Sequence, residues 1–328
     1  MLYFSKMRVL ILTTEYLPNI GGSELAIANL TQRIPDATFD IVTSGFGGKW
    51  LLPITGFFKG LRHHHDVIHA FQASYAGGAG YILKLFFPRC PFIVTLQEGK
   101  DLEKQSFFVR FFRRMILRKA NVITAISTYL FEYARHVNPK AKLYLLPNGV
   151  DLKKFQVSSF KFQDQKIIIS VSRLVPKNGL DTLIKAMEFL PDYTLEIAGT
   201  GPLEGKLKGR VSFLGTVGQD ALPGLLGRSS VFIRPSRSEG MGSAFLEAMA
   251  AGVPVIATPV GGIPDFLKDR ETGLFCEVDN PESIARAVRK LEDPNLREKI
   301  VKNAFALVQE KYNWDMLARK YKNILESL

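Results

Sequence analysis

Cysteine is nearly absent from this chain. Cys90 and Cys276 are the only two in 328 residues, far apart and without metal-ligand spacing. That predicts neither a disulfide framework nor a zinc cluster, and it fits a reducing, cytoplasmic setting. No apolar run approaches the ~20 residues that a membrane-spanning helix needs. The opening MLYFSKMRVLILTTEY has a short apolar run, but polar and acidic residues follow it and no small-residue cleavage site is evident. It reads as a first strand rather than a signal peptide. Asp-x-Asp occurs nowhere, so a metal bridging a diphosphate has no obvious ligands, and no resident metal or cofactor is expected. Internal repeats and low-complexity tracts are also missing. Acidic residues are scarce in the first half: residues 1–160 carry 20 Lys and Arg against 10 Asp and Glu, whereas the remainder carries 23 against 21. The net charge of +12 is therefore concentrated in one half. An anionic substrate, an anionic membrane or nucleic acid would each account for it, but no nucleic-acid module is recognisable.

What is present is ordinary for a globular protein, with 46% hydrophobic and 23% charged residues and a length that suits two domains. Short apolar runs alternate with helical patterns, which predicts parallel βαβ units. The expected strands of the first half are Arg8–Leu12, Phe39–Thr43, Asp66–Ala70, Phe92–Leu96, Asn121–Ala125 and Leu143–Leu146. Those of the second half are Lys166–Val171, Thr194–Ala198, Val211–Leu214, Val231–Ile233, Pro254–Ala257 and Gly273–Cys276. Between the sets, LPNGVDLKKFQVSSFKFQDQ is polar and turn-rich and reads as a linker. The expectation is an α/β protein of two Rossmann-like doubly wound domains facing a central cleft, over residues 1–150 and 151–310.

Ligands of such sheets bind beyond the carboxyl ends of the strands. The unusual residues of this sequence fall there. They are Gly21-Gly22 after the first strand, Gln97-Glu98-Gly99-Lys100-Asp101 after the fourth and Pro147-Asn148-Gly149 after the sixth. In the second half they are Arg173, Gly199-Thr200-Gly201, Thr216-Val217 and Pro235-Ser236. The stretch Glu239-Gly240-Met241-Gly242-Ser243-Ala244-Phe245-Leu246-Glu247 is the most informative. It predicts a loop running into a helix that begins near Gly242 or Ser243. The unpaired N–H groups of that first turn form an anion site, and phosphate is the usual guest. Glu239 before the helix and Glu247 within it accept hydrogen bonds from hydroxyls. Phosphate between two hydroxyl acceptors suggests a sugar nucleotide.

With its context, RPSRSEGMGSAFLEAMAAGVPVIATPVGGIPDFL, this stretch resembles the signature of retaining GT-B glycosyltransferases of family 4. The resemblance implies a GT-B fold, transfer of a hexosyl unit from a UDP- or GDP-hexose, and a lipid-linked or saccharide acceptor. It also implies roles. Glu247 would hold ribose hydroxyls and Glu239 the donor sugar. Arg173, Lys177 and the backbone around Met241, Gly242, Ser243 and Ala244 would carry the diphosphate. Gly21 and Gly22 would cover the phosphates and the sugar, and Gly199, Gly201, Thr216 and Val217 would line ribose and base, with Asn148 beside the donor. The sequence departs from the family at two places. Asn178 stands where Lys is usual, so the cation is transferred to Lys177. Gln97 stands where His is frequent, so the catalytic position cannot titrate. A non-catalytic sugar-nucleotide sensor is the alternative that this exchange leaves open.

Three further features carry competing readings. Gly199-Thr200-Gly201 mimics a dinucleotide fingerprint, but the third glycine is one residue late and no acidic residue ends the next strand. His65 and His69 have a zinc-protease spacing, but they fall on a strand rather than a helix, and His69 reads as a core residue. The segment Phe107–Lys119 reads as an amphipathic helix with Phe108, Phe111, Phe112, Met115 and Ile116 on one face and Arg110, Arg113, Arg114 and Arg118 mostly on the other. Either that apolar face packs on the sheet, or the helix lies on a membrane surface at the inner face. The resemblance also implies that the last helix, within 311–328, returns to the first domain.

Overall fold

The computed structural model describes residues 6–17, 21–44, 48–99, 102, 104–155 and 166–328. Two compact units emerge, one of Met1–Asn148 with Trp314–Leu328 and the other of Gly149–Asn313. Pro18, Asn19 and Ile20 of the first glycine loop, Lys100 and Asp101, and residues 156–165 of the expected linker lie outside the described residues.

The first unit alternates strand and helix: β1 (Met7–Leu12), α1 (Gly22–Gln32), β2 (Ala37–Val42), α2 (Leu52–Gly60), β3 (Val67–Phe71), α3 (Tyr75–Phe86), β4 (Phe92–Leu96), α4 (Phe107–Lys119), β5 (Val122–Ala125), α5 (Thr128–Val137) and β6 (Lys142–Leu145). The sheet order is β2-β1-β3-β4-β5-β6 and every pairing is parallel. Central strands such as VIHAF and FIVTL are buried throughout, because helices cover both faces of the sheet. The edge strand KLYL is half-exposed.

The second unit contains α6 (Leu152–Phe155), β7 (Ile167–Val171), α7 (Leu180–Ala186), β8 (Thr194–Ala198), β9 (Ser212–Gly215), α8 (Leu222–Gly227), β10 (Val231–Arg234), α9 (Ser243–Ala250), β11 (Val255–Ala257), β12 (Leu274–Phe275), α10 (Pro281–Lys290) and α11 (Pro294–Lys311). Its sheet, again parallel, runs β12-β11-β10-β7-β8-β9. Chain order reverses between β7 and β10, and this is where a ligand crevice is expected in an open α/β sheet. Asn280 and Asp293 cap α10 and α11, accepting from the N–H of Ser283 and Asn295 at 2.9 Å, with proline at the start of each helix.

The last helix, α12 (Trp314–Glu326), belongs to the first unit. Trp314, Leu317, Tyr321 and Ile324 pack in one cluster with Val9, Ile11, Val67 and Ile93 of β1, β3 and β4. His69 is buried there. Its Nδ1 and Nε2 lie 2.6 Å from the Tyr321 hydroxyl and the Thr95 hydroxyl, and burial pushes its pKa down to about 3.

Two expectations need correction. The stretch read as linker is partly folded: Val150 and Phe155 are buried, the Val150 N–H donates to the Tyr312 carbonyl, and α6 sits in the second unit. A four-residue helix is too short to show a hydrophobic period. The faces of α4 also differ from the expected ones. Arg113, Ile116 and Leu117 turn inward, whereas Phe107, Phe108, Phe111 and Phe112 are exposed. The inward stripe, continued by buried Ala120, has helical spacing but starts with an arginine. Arg113 donates to the Gln105 side chain, and its charge pulls the Glu98 pKa down against the larger effect of burial.

Candidate active site

The carboxyl ends of β7 and β10 bring most of the expected residues of the second unit together. β10 ends at Arg234, and the chain turns through Pro235–Ser238 to Glu239 before α9 begins. Beyond β7, Arg173 is exposed, and Lys177 lies in a single 3-10 turn, Pro176–Asn178. Arg237 ties the two loops together: its N–H donates to the Lys177 carbonyl at 2.7 Å, and its guanidinium pairs with Asp181 and Asp279, each at 2.7 Å. Asn178, the residue that replaces the usual lysine, is buried and donates to the Arg173 carbonyl at 2.7 Å. It braces the turn that carries Lys177.

Glu239 is the centre of this arrangement. Its carboxylate receives Arg234 Nη2 at 2.8 Å, the Gly240 N–H at 2.9 Å and Lys177 Nζ at 3.4 Å from both oxygens. Burial alone would raise its pKa; Arg234, Lys177 and the Gly240 N–H more than offset this and hold the carboxyl below its ordinary value. Burial lowers the Lys177 pKa, and Glu239 only partly restores it. Glu247, on α9, is buried and its pKa is raised by burial, with partial relief from the Gln219 side chain, Arg234 and Lys154. One carboxylate is thus held ionised between cations, and the other faces the loop that follows β9.

Arg234 is the functional candidate that sequence reasoning passed over. It is 6% exposed, lies 4.3 Å from the centroid of the Phe245 ring, and its Nε has no hydrogen-bond partner among the described residues. Its guanidinium occupies the space beside Gly242, where a Cβ would lie 2.1 Å from Nη2. Gly242 caps α9 at φ +85°, and no side chain caps the helix, so the first N–H groups after Gly242 are not consumed. Met241 is fully buried and offers only its backbone, while Ser243 and Ala244 are half-exposed. Behind Glu239, Gly261 at φ +56° presses on the loop: a Cβ there would lie 1.7 Å from the Glu239 carbonyl oxygen. The signal for both lay in the sequence, in an arginine ending an apolar strand and in the pair Gly261-Gly262, but neither has a function outside this packing.

The glycine turn Gly199–Gly201 adjoins the Arg173 loop. The Ser172 N–H donates to the Ala198 carbonyl at 2.9 Å and the Leu174 N–H to the Thr200 carbonyl at 3.0 Å. The Gly199 N–H donates to the Gly215 carbonyl at 2.7 Å, which sets Thr216 and Val217 beside the same turn. From there Gln219 reaches Glu247. Arg173, Lys177, Glu239, Glu247 and both backbone turns therefore form one connected set.

In the first unit, Gln97 follows β4. Its Nε2 lies 3.5 Å from the Oδ1 of buried Asn148, and its backbone N–H donates to Glu98 at 2.9 Å. Glu98 also accepts from the Ala73 N–H at 3.0 Å, next to Gln72, whose φ of +82° marks a strained strand end. Burial raises the Glu98 pKa, against the opposing pull of Arg113. Gly22 opens α1 and Gly21 caps it in extended conformation. The Glu24 carboxylate folds over Gly21, so that a Cβ there would lie 2.4 Å from Oε2. This helix start is filled by an acidic side chain, in contrast to α9. The imidazole of His65 lies 3.0 Å from Asp40, and no group of three or more metal-ligating side chains occurs among the described residues.

The geometry can be set beside known proteins. Residues 152–307 match the family model described as glycosyl transferases group 1, and residues 40–154 match that of glycosyltransferase family 4. An uncharacterized glycosyltransferase of Methanocaldococcus jannaschii is 35% identical over 211 residues, 57% of this chain and 54% of that protein. The GDP-mannose-dependent alpha-(1-6)-phosphatidylinositol monomannoside mannosyltransferase of Mycobacterium tuberculosis is 32% identical over 249 residues, 65% of this chain and 64% of that protein. The matches thus span between half and two thirds of these relatives. The solved structure of Anabaena HepE in complex with UDP and glucose superposes with a TM-score of 0.84 at 19% identity, covering 98% of this chain and all of that one.

Proposed function

Since the chain belongs to the family 4, group 1 glycosyltransferases and has their GT-B fold of two Rossmann-like units, we propose that it moves a hexosyl unit from a nucleotide-diphosphate sugar to a lipid-linked or saccharide acceptor, with retention and without a metal. The observation that carries this reading is the cluster at the switch between β7 and β10, where Arg173 and Lys177 stand beside an uncapped helix start and a carboxylate held ionised. A diphosphate needs the cations and the N–H groups; a sugar ring needs the carboxylate. The mannosyltransferase relative is named for GDP-mannose, and HepE was solved with UDP and glucose, which supports a nucleotide-sugar donor in general.

In this reading, the bond between the anomeric carbon and the β-phosphate oxygen breaks as Arg173, Lys177 and the first N–H groups of α9 take up the developing negative charge. Glu239, neutralised by Arg234, orients the sugar hydroxyls rather than attacking carbon, and Glu247 holds the ribose. The acceptor oxygen bonds the anomeric carbon on the face that the diphosphate leaves. Its proton passes to the leaving phosphate, since Gln97 cannot accept one. The test is steady-state kinetics with candidate nucleotide sugars and extracted acceptors, with NMR of the product anomer. Glu247→Ala should raise KM about 10- to 100-fold through the loss of charge-assisted hydrogen bonds, and Arg173→Ala should lower kcat about 100- to 1,000-fold. Unchanged kinetics in both variants would remove the assignment, and donor binding without transfer or hydrolysis would make the protein a sensor.

A further inference from the structure

The carboxyl end of the first sheet holds one residue in a costly conformation. Among the described residues, three that are not glycine have positive φ: Gln72, Arg270 and Asp279. Arg270 and Asp279 are exposed and sit at φ +59° and +57°, in the ordinary left-handed region. Gln72, at φ +82°, follows directly on β3, a fully buried strand in the middle of the sheet. Glycine takes such a backbone freely, whereas a residue with a Cβ holds it only where its surroundings dictate it.

Here they dictate it on both sides of the residue. The Gln72 N–H donates to the Thr95 carbonyl at 2.8 Å, and the Gln72 carbonyl accepts from the Gly77 N–H, in the first turn of α3, at 3.1 Å. The next N–H, that of Ala73, donates to Glu98 Oε1 at 3.0 Å, while Glu98 Oε2 takes the Gln97 N–H at 2.9 Å. One carboxyl group thus ties the end of β3 to the end of β4. It fixes where two half-buried side chains begin, Gln72 and Gln97. Neither amide is used up within the fold. Gln72 Oε1 lies 3.5 Å from the Ser74 hydroxyl and Gln97 Nε2 3.5 Å from Asn148 Oδ1, both at the limit of a hydrogen bond. A strained residue whose amide stays unspent, just past a strand end, is placed to meet a ligand.

An amide both donates and accepts, which matches a hydroxyl group; it brings no charge to neutralise an anion. We propose that Gln72 binds a hydroxyl group of a neutral saccharide acceptor and that Glu98 is the positioning residue that holds it in place. This rests on the glycosyltransferase reading and adds to it a residue and an acceptor chemistry. An acceptor suits Gln72 better than the donor does, since Arg173, Lys177 and the start of α9, which suit a diphosphate, all belong to the second unit.

The test uses the full-length protein with UDP-glucose or GDP-mannose as donor. Octyl glucoside, octyl galactoside and octyl mannoside serve as neutral acceptors, and octyl glucuronide as an anionic one. Transfer to at least one neutral glycoside should exceed that to the glucuronide at least tenfold in kcat/KM. Gln72→Ala, Gln72→Gly and Glu98→Gln (one accepting oxygen where two are needed) should each raise the acceptor KM at least tenfold and leave donor hydrolysis by water within twofold of wild type. In urea, followed by tryptophan emission, Gln72→Gly should unfold at a higher midpoint than wild type and Gln72→Ala should not, because alanine keeps the strain. A residue strained for packing alone would show the midpoint shift without the change in KM. A wild-type acceptor KM in the Gln72 variants, a preference for the glucuronide, a Gln72→Gly midpoint no higher than wild type, or donor hydrolysis without transfer to any of these glycosides would overturn the inference. Absence of all donor turnover in the wild type would instead remove the glycosyltransferase reading, and the inference with it.

Discussion

Arg234→Leu is the most discriminating perturbation of the second unit. The side chain is buried, stacks on Phe245, and makes the 2.8 Å bond that keeps Glu239 charged. Removing one partner of a buried pair strands the other, which costs about 3–5 kcal/mol. The wild-type Glu239 pKa is held below its ordinary value, so it contributes stability above the ordinary value of 4.5 and loses it as pH falls through the lowered pKa. In the variant the first-ranked lowering partner is gone, and the expectation is that burial then outweighs Lys177 and the Gly240 N–H and the shift reverses. The carboxylate then destabilises the folded state at neutral pH and ceases to do so once it is protonated. The deficit of Arg234→Leu should therefore be largest near pH 7 and shrink below about pH 4.5. Both tryptophans lie in the first unit, so emission will not see this; hydrogen exchange with mass spectrometry on peptides spanning β10 and α9, at increasing urea, will. In a Glu239→Gln background, Arg234→Leu should cost little more than the lost packing, and its pH dependence should vanish. A deficit that is equal at pH 4 and pH 7, or equal in both backgrounds, would show that Arg234 is held by packing and not by Glu239.

Other consequences are equally open to measurement. Gly261→Ala forces a Cβ against the Glu239 carbonyl at a positive φ; kcat/KM should fall at least about tenfold, because misplacing an orienting group by an ångström costs that much or more, while a thermal-shift titration still detects nucleotide diphosphate. His69, with a pKa of about 3 against an ordinary 6.5, binds its proton only on unfolding, so the stability of the first unit should drop as pH falls below about 6.5. Between pH 7 and pH 4 that loss amounts to about 3 kcal/mol, and His69→Gln should abolish most of it in urea melts followed by the buried Trp314. Gln97→His should keep turnover and add an ionisation near neutral pH to the kcat/KM profile that the wild type lacks; a profile unchanged from wild type would place position 97 away from the reacting centre.

The strands were legible in the sequence, each within two residues at either end, because buried parallel strands read as short unbroken apolar runs. The turn into α9 was legible for another reason: small and hydroxyl residues after a strand mark a helix start, which lies at Ser243, whereas the two glutamates gained meaning only from the flanking text that resembles a known family. What escaped was set by partners distant in the chain. Nothing near Arg234 in the sequence announces that it will lie against Gly242 and clamp Glu239, and Arg237 gains its place through the Lys177 carbonyl, Asp181 and Asp279. For α4 the sequence left open whether the phenylalanine face packs on the sheet or stays outside, and it placed Ile116 with the phenylalanines rather than with Arg113. Arg113, Ile116 and Leu117 turn inward, with Arg113 held by the Gln105 side chain, and the phenylalanines at the start of the helix turn out. The start of α1 shows the same limit, since the filling of the Gly21 site by Glu24 depends on a side-chain rotamer that sequence spacing does not reveal.

The return of α12 to the first unit makes the second unit, in covalent terms, an insertion within the first. The chain passes from one to the other at Asn148–Gly149 and back at Asn313–Trp314. The two ends of the insertion are already pinned together, by the Val150–Asn313 bridge and by the 2.8 Å bond from the Val150 N–H to the Tyr312 carbonyl. Residues 149–313 are therefore a natural cassette: its termini adjoin, so it suits excision, transplantation or circular permutation with little added loop entropy. The host is less forgiving. A stop codon before Trp314 would take Trp314, Leu317, Tyr321 and Ile324 out of the cluster on β1, β3 and β4, and with Tyr321 a hydrogen-bond partner of His69. During synthesis the first unit accordingly cannot complete its core until the whole of the second has been made, which casts the last thirteen-residue helix as the closing step of its folding.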